Sequence, residues 1–228
     1  MRSAKPGEHG RARSCLRNET ATLHETVERH FAPGRMTRDA YIRYLMMNRP
    51  FASIEPALET ARIHRVLPDW ENRQRRFDLA SDMRAMGIPT EEPPAIEISD
   101  DIGTLLGWSY VLEGSRLGAR FILKGIETTQ NQELIGATRF LRHGAGMDLW
   151  KTFTAALSRI DNDPTAIEAA GKAARAAFSC FKAVTESFDD KPIPIDSKVI
   201  PAAALGYLAP RAHSHSHQPP SALEIAAE

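Results

Sequence analysis

Thiols are scarce in this chain: among 228 residues only Cys15 and Cys180 carry them, with no CxxC or CxxxxH spacing near either. A disulfide framework and a structural zinc site are therefore not expected. Neither sign of charge is in excess, since Lys+Arg and Asp+Glu both number 29. That balance argues against nucleic acid or an anionic membrane surface as the partner, so charge-dependent recognition has to be local. Uninterrupted apolar runs are missing as well. The most apolar window, Ile102 to Ile126, holds Glu113, Arg116, Arg120 and Lys124, too many charges for a lipid-facing span, and it reads as a buried helix. The basic opening MRSAKPGEHGRARS has no apolar stretch behind it, so no secretory leader is expected and the cytoplasm is the expected compartment. Alternating β-branched runs followed by turn signals are absent too, and the core is expected to be α-helical.

What is present is helical periodicity. Residues 1–12 and 189–228, rich in Pro, Ser, His or Gly and short of periodic apolar positions, read as a flexible N-terminal segment and a disordered tail flanking one helical domain at 13–188. A first helix is predicted from about Ser14 to His30, stopped by Pro33 and Gly34. Thr37 is the expected N-cap of a second, continuing to about His64 and bent or broken at Pro50 and Pro56. Pro68 and Asp69 open a third that ends near Gly87, and Ser99 and Asp100 are placed to cap a long helix to about Thr128. Shorter helices at about 131–142 and 147–160 follow, and Asp163-Pro164 starts a last one reaching about Ser187.

Two of these helices carry unusual residues. In the long one, Gly103, Gly107, Gly114, Gly118 and Gly125 are separated by 4, 7, 4 and 7 residues, which at about 100° per residue confines all of them to a sector about 60° wide. One face of the helix is bare backbone. Each interior glycine costs roughly 0.5 to 1 kcal/mol relative to alanine, so something must require close approach there. Tight helix packing through small residues is one explanation, and a flat ligand lying on a side-chain-free floor, under a helix free to kink, is the other. In the first helix Leu16, Leu23 and Val27 mark the core face, and His24 stands about 80° from Leu16 at its edge. Alone, such a histidine is more often a hydrogen-bonded core or surface residue than a metal ligand. Arg17 lies seven residues earlier on nearly the same face and Glu28 one turn later. The three offer a nitrogen ligand, a carboxylate to orient it, and a cation for an acidic ligand rim.

At this point a resemblance enters. LRNETATLHETVE (Leu16 to Glu28) resembles the proximal-helix signature of haem oxygenases, and YVLEGSRLGARF (Tyr110 to Phe121) is similar to the distal-helix signature of their bacterial, biliverdin-producing branch. AARAAFSCF (Ala173 to Phe181) stands where that family has its propionate-binding helix, and the similarity spans roughly residues 13–188. The resemblance implies an all-α, single-domain fold with the ligand between a proximal and a kinked distal helix. It implies His24 as the iron ligand, with Glu28 as its nearby carboxylate. Gly114 and Gly118 would be the distal glycines touching haem beside bound dioxygen, Tyr110 a pocket neighbour, and Arg17, Arg175 and Lys172 the propionate partners. Ser115 follows the first distal glycine where the mammalian pattern has an aspartate, which leaves open what organises water there.

The implied chemistry is cleavage of haem, both substrate and oxygen-activating cofactor, by dioxygen at a meso carbon, giving biliverdin, carbon monoxide and ferrous iron. Electrons would come from an external reductase such as a ferredoxin or flavin reductase, since the chain has no flavin or nicotinamide motif, and a bacteriophytochrome could accept the bilin. Two further readings are a haem-binding or haem-buffering protein of the same fold without turnover, and a helical interaction module whose glycines pack on another helix. His213, His215 and His217 in the tail could hold a transition metal weakly, but read better as a solvated low-complexity segment. Trp70, Trp108 and Trp150 read as core anchors, and His30, His64 and His143 as helix-end residues without a role.

Overall fold

The computed structural model describes residues 10–188 and 193–195; the tail histidines His213, His215 and His217 lie outside them. The expected all-α architecture is borne out. Helix α1 (Arg11–Glu28) begins before the predicted Ser14 because Asp161 reaches across from the far end of the chain and accepts from the Ala12 amide at 2.8 Å. That carboxylate supplies the cap that Gly10 cannot. Thr37 caps α2 (Arg38–Met47) as predicted, its hydroxyl accepting from the Ala40 amide at 3.3 Å. The break at Pro50 separates α2 from α3 (Phe51–Thr60), whereas Pro56 sits inside α3 without ending it. A short 3-10 turn at Trp70–Asn72 precedes α4 (Arg76–Ala85), and Gly87, with φ of 71°, closes that segment in the left-handed region glycine favours.

The long helix α5 (Ile102–Thr129) runs unbroken through all five glycines. Its cap is Asp101, one residue past the predicted pair, accepting from the Thr104 amide at 2.8 Å. The stretch predicted as one helix after it is divided into α6 (Gln132–Gly136) and α7 (Arg139–Arg142). The buried Asp82 carboxylate accepts the Arg139 and Phe140 amides at 3.1 and 2.8 Å and so caps α7 from α4. Helix α8 (Leu149–Leu157) and α9 (Pro164–Thr185) complete the set, α9 starting at the Asp163-Pro164 pair. One element has no counterpart in the sequence reading. Strand β1 (Phe31–Pro33) pairs in parallel with β2 (Ile193–Ile195), and the buried Ile193 donates its amide to the His30 carbonyl at 2.6 Å.

Helix α9 is the common backing: α1 and α5 each pack along it rather than along one another. Small residues make this possible, because Ala170, Ala174 and Ala177 on α9 are fully buried. A Cβ on Gly103 would lie 2.3 Å from the Ala166 carbonyl oxygen, and one on Gly107 would lie 2.2 Å from that of Ala170. At these two positions the glycine stripe is a backbone-to-backbone helix contact, as the interaction-module reading supposed. Gly107→Ala is therefore expected to destabilise the chain by about 1 to 3 kcal/mol through overpacking. Chemical denaturation should resolve that loss, whereas Gly118→Ala, where nothing lies within 4 Å, should leave stability unchanged or slightly raised.

Candidate active site

Beyond Gly107 the stripe changes character. A Cβ on Gly114 would approach only Trp150, at 4.0 Å, and a Cβ on Gly118 would meet nothing. Helices α5 and α9 run in the same direction, with Gly103 against Ala166 and Gly107 against Ala170 and Ala173. Seven residues further along both, Gly114 stands level with α9 residues 177 to 180 by helical rise. Helix α1 runs the same way along another side of α9: Glu19 pairs with Arg175, and the His24 ring packs edge-on to Phe178 with centroids 5.8 Å apart. Using α9 as a ruler, His24 and Gly114 stand at the same height, on two helices that do not pack on each other. The stripe thus packs at Gly103 and Gly107, faces open space at Gly114 and Gly118, and is buried again at Gly125, with the half-buried His24 at the height of its open part.

Other predicted site residues lie near these glycines or along α9 and α1. Tyr110 packs on Trp150 and Phe153, with ring centroids 6.2 and 6.5 Å away, so it lines the wall next to Gly114. Arg175 forms an ion pair with Glu19 that bridges α9 to α1 one turn before Phe178, and its side chain keeps two-fifths of its surface in solvent. Lys172 is exposed and pairs with Glu168 at 2.7 Å, and Arg17 lies exposed on α1. Glu28 is the last residue of α1, and its side chain lies outside the described set. Ser115 is turned away from the cleft: its hydroxyl donates to the Leu112 carbonyl at 2.8 Å and accepts from the buried Arg75 guanidinium. A separate surface cavity of about 360 Å³, lined by Arg13, Lys151 and Asp161 among others, lies near Gly10. By helical rise that is about 20 Å along α1 from His24.

The sequence reading passed over a set of buried charges behind the glycines. Glu113, 1% exposed, meets Arg73 at 2.9 Å and Arg116 at 3.0 Å, and Arg73 also pairs with Asp69 at 2.7 Å. Arg75 lies between the Phe51 and Phe140 rings, its guanidinium carbon 4.5 Å from each centroid. Burial, with Arg116 nearby, pulls it down to about 9, so it stays charged at neutral pH. The Arg116 guanidinium reaches His143 Nδ1 at 3.0 Å. Burial first, and this cation second, push the His143 imidazole down to about 4. The one sequence signal was the density of charge in a helix otherwise apolar enough to be buried. Phe178 was visible as the aromatic one turn after Arg175.

The native His143 resists a proton that the unfolded chain accepts near its ordinary 6.5. Its contribution is complete above that value and is lost as pH falls toward about 4. His143→Gln should therefore flatten the acid limb of the stability curve between those limits relative to the parent, a difference that urea titrations at a series of pH values will measure.

Comparison with known proteins places these features. Residues 82–187 match the family model described as Heme oxygenase, a segment that includes Gly114, Gly118 and Arg175 and leaves His24 outside it. Heme oxygenase PigA of Pseudomonas aeruginosa is 28% identical over 149 residues, covering 64% of this chain and 75% of that protein. A heme oxygenase from Neisseria meningitidis, solved with NO and CO bound, shares the fold at a TM-score of 0.61 and 22% identity, over 78% of this chain and 90% of its own. No described helix is long and apolar enough to cross a membrane.

Proposed function

We propose that this chain, whose residues 82–187 match the haem oxygenase family model, cleaves haem with dioxygen to biliverdin, carbon monoxide and ferrous iron. The observation that carries the proposal is the split glycine stripe, open at Gly114 and Gly118 at the level of His24. The fit is specific, because a flat macrocycle needs a floor that any side chain would fill, and here the space over both glycines is free. His24 would hold the iron through a neutral ring nitrogen, braced by Phe178 and by Glu28 one turn on. Tyr110 and Trp150 would close one edge, excluding water from the reacting face. Arg17 and Arg175 would meet the propionates, with Lys172 further out along α9. For Arg175 this means exchanging Glu19 for a ligand carboxylate of like charge. Ser115 would act through its hydroxyl bond to Arg75, fixing the turn that carries Gly114.

Bound haem supplies the oxygen-activating iron and the meso carbon that is oxidised, and the protein supplies the geometry. Electrons would come from an external donor such as a ferredoxin or a flavin reductase. The product could serve iron supply or feed a bilin acceptor such as a bacteriophytochrome. A buffering role without turnover gains support from the commitment of Ser115 to Arg75, which leaves no side-chain hydroxyl there in the cleft.

Haem added to the purified chain, then a reductant in air, is expected to give a Soret band that decays as a bilin appears, with carbon monoxide released in step. Tight binding with haem intact after repeated reduction would establish the buffering role instead. His24→Ala should abolish the low-energy shift of the Soret band on binding. Gly118→Leu should keep the fold and lower haem affinity by about tenfold or more, since its side chain would occupy the floor.

A further inference from the structure

On α5, at about 100° per residue, the direction opposite the midpoint of Gly114 and Gly118 belongs to position 116. Arg116 stands there, and it is 8% exposed. Every donor of its guanidinium is placed. Nε reaches Glu113 Oε2 at 3.0 Å and one Nη reaches Glu113 Oε1 at 3.3 Å. That same Nη donates to the Arg73 carbonyl, while the other reaches His143 Nδ1 at 3.0 Å and the His143 carbonyl at 3.4 Å. Two of these five bonds tie Arg116 to Glu113 on α5 and three join α5 to the turn before α4 and to the end of α7, and an ammonium could not reproduce that planar fork. Glu113 is held in turn by Arg73, which also donates to the Leu149 carbonyl at the start of α8.

The front of α5 has no equivalent support. Gly103 and Gly107 lock its first half against α9, whereas a Cβ on Gly114 or Gly118 would meet nothing closer than 4.0 Å. The height of this half of the helix is therefore set from behind. We infer that Arg116, with Glu113 as its counter-ion, is a positioning residue that fixes how far the Gly114–Gly118 backbone stands from the ligand plane. This rests on the haem oxygenase reading for the identity of the ligand. Displacement by a fraction of an ångström at this surface alters every contact of a diatomic molecule bound beneath it, and geometry errors of about 1 Å can change rates a hundredfold.

The test compares the full chain with Arg116→Lys and Glu113→Gln, and with Arg142→Lys, which alters an exposed α7–α5 pair elsewhere, as control. Two readouts are used: amide hydrogen exchange of residues 113–118 without ligand, and the C–O stretch and release rate of carbon monoxide on the reduced haem complex. Both buried substitutions should speed exchange at 113–118 by about tenfold without changing the α9 amides. Both should also broaden and shift the C–O band while leaving the His24-dependent Soret band in place. Should Arg116→Lys fail to fold, Glu113→Gln decides. Unchanged exchange and an unchanged C–O band in a folded variant overturn the inference. Failure of the parent chain to bind haem overturns the functional reading instead, and faster exchange would then support Arg116 as the support of this helix alone.

Discussion

Everything about the cleft depends on the contact between the backbones of α5 and α9 at Gly107. With a Cβ on that residue 2.2 Å from the Ala170 oxygen, no other amino acid lets the two helices approach so closely. Past that contact the same face of α5 opens: a Cβ on Gly114 would meet only Trp150, at 4.0 Å, and one on Gly118 nothing. Under the proposed reading haem covers this open face, where an unfilled surface forgoes dispersion contacts. Binding there would supply packing that the fold by itself leaves incomplete.

The sequence made half of this legible. Helical period, the Thr37 cap and the Asp163-Pro164 start depend on residues within a turn of each other, and such local determinants can be read from a string. So can a stripe, since 100° per residue is a property of the helix alone. What the stripe does is not local. The same spacing serves packing at Gly103 and Gly107 and open space at Gly114 and Gly118, and only the path of α9 distinguishes them. Caps supplied from a distance were equally hidden: Asp161 serves α1 from 149 residues away and Asp82 serves α7 from 57. The β1–β2 pair was invisible because three-residue strands carry no periodicity to detect.

The buried ions behind α5 show the trade made by this architecture. Replacing such a network with apolar residues of equal volume is often neutral or stabilising, so stability alone does not explain Glu113, Arg73 and Arg116. Apolar side chains, however, slide over one another with little penalty, while a guanidinium with five placed hydrogen bonds has one energetically acceptable position. The face that must be bare needs a firm anchor on its reverse, and directional bonds provide it where contact area cannot.

The parallel pairing of β1 with β2 bears on how the chain folds. Helix α1 packs on Trp150, Asp161, Arg175 and Phe178, and His30, just past its end, accepts from Ile193, all of them far along the chain. A helix of 18 residues is marginal in water without tertiary support. The histidine arm therefore takes its stability from contacts of high sequence separation, which makes its docking a slow, late step of folding.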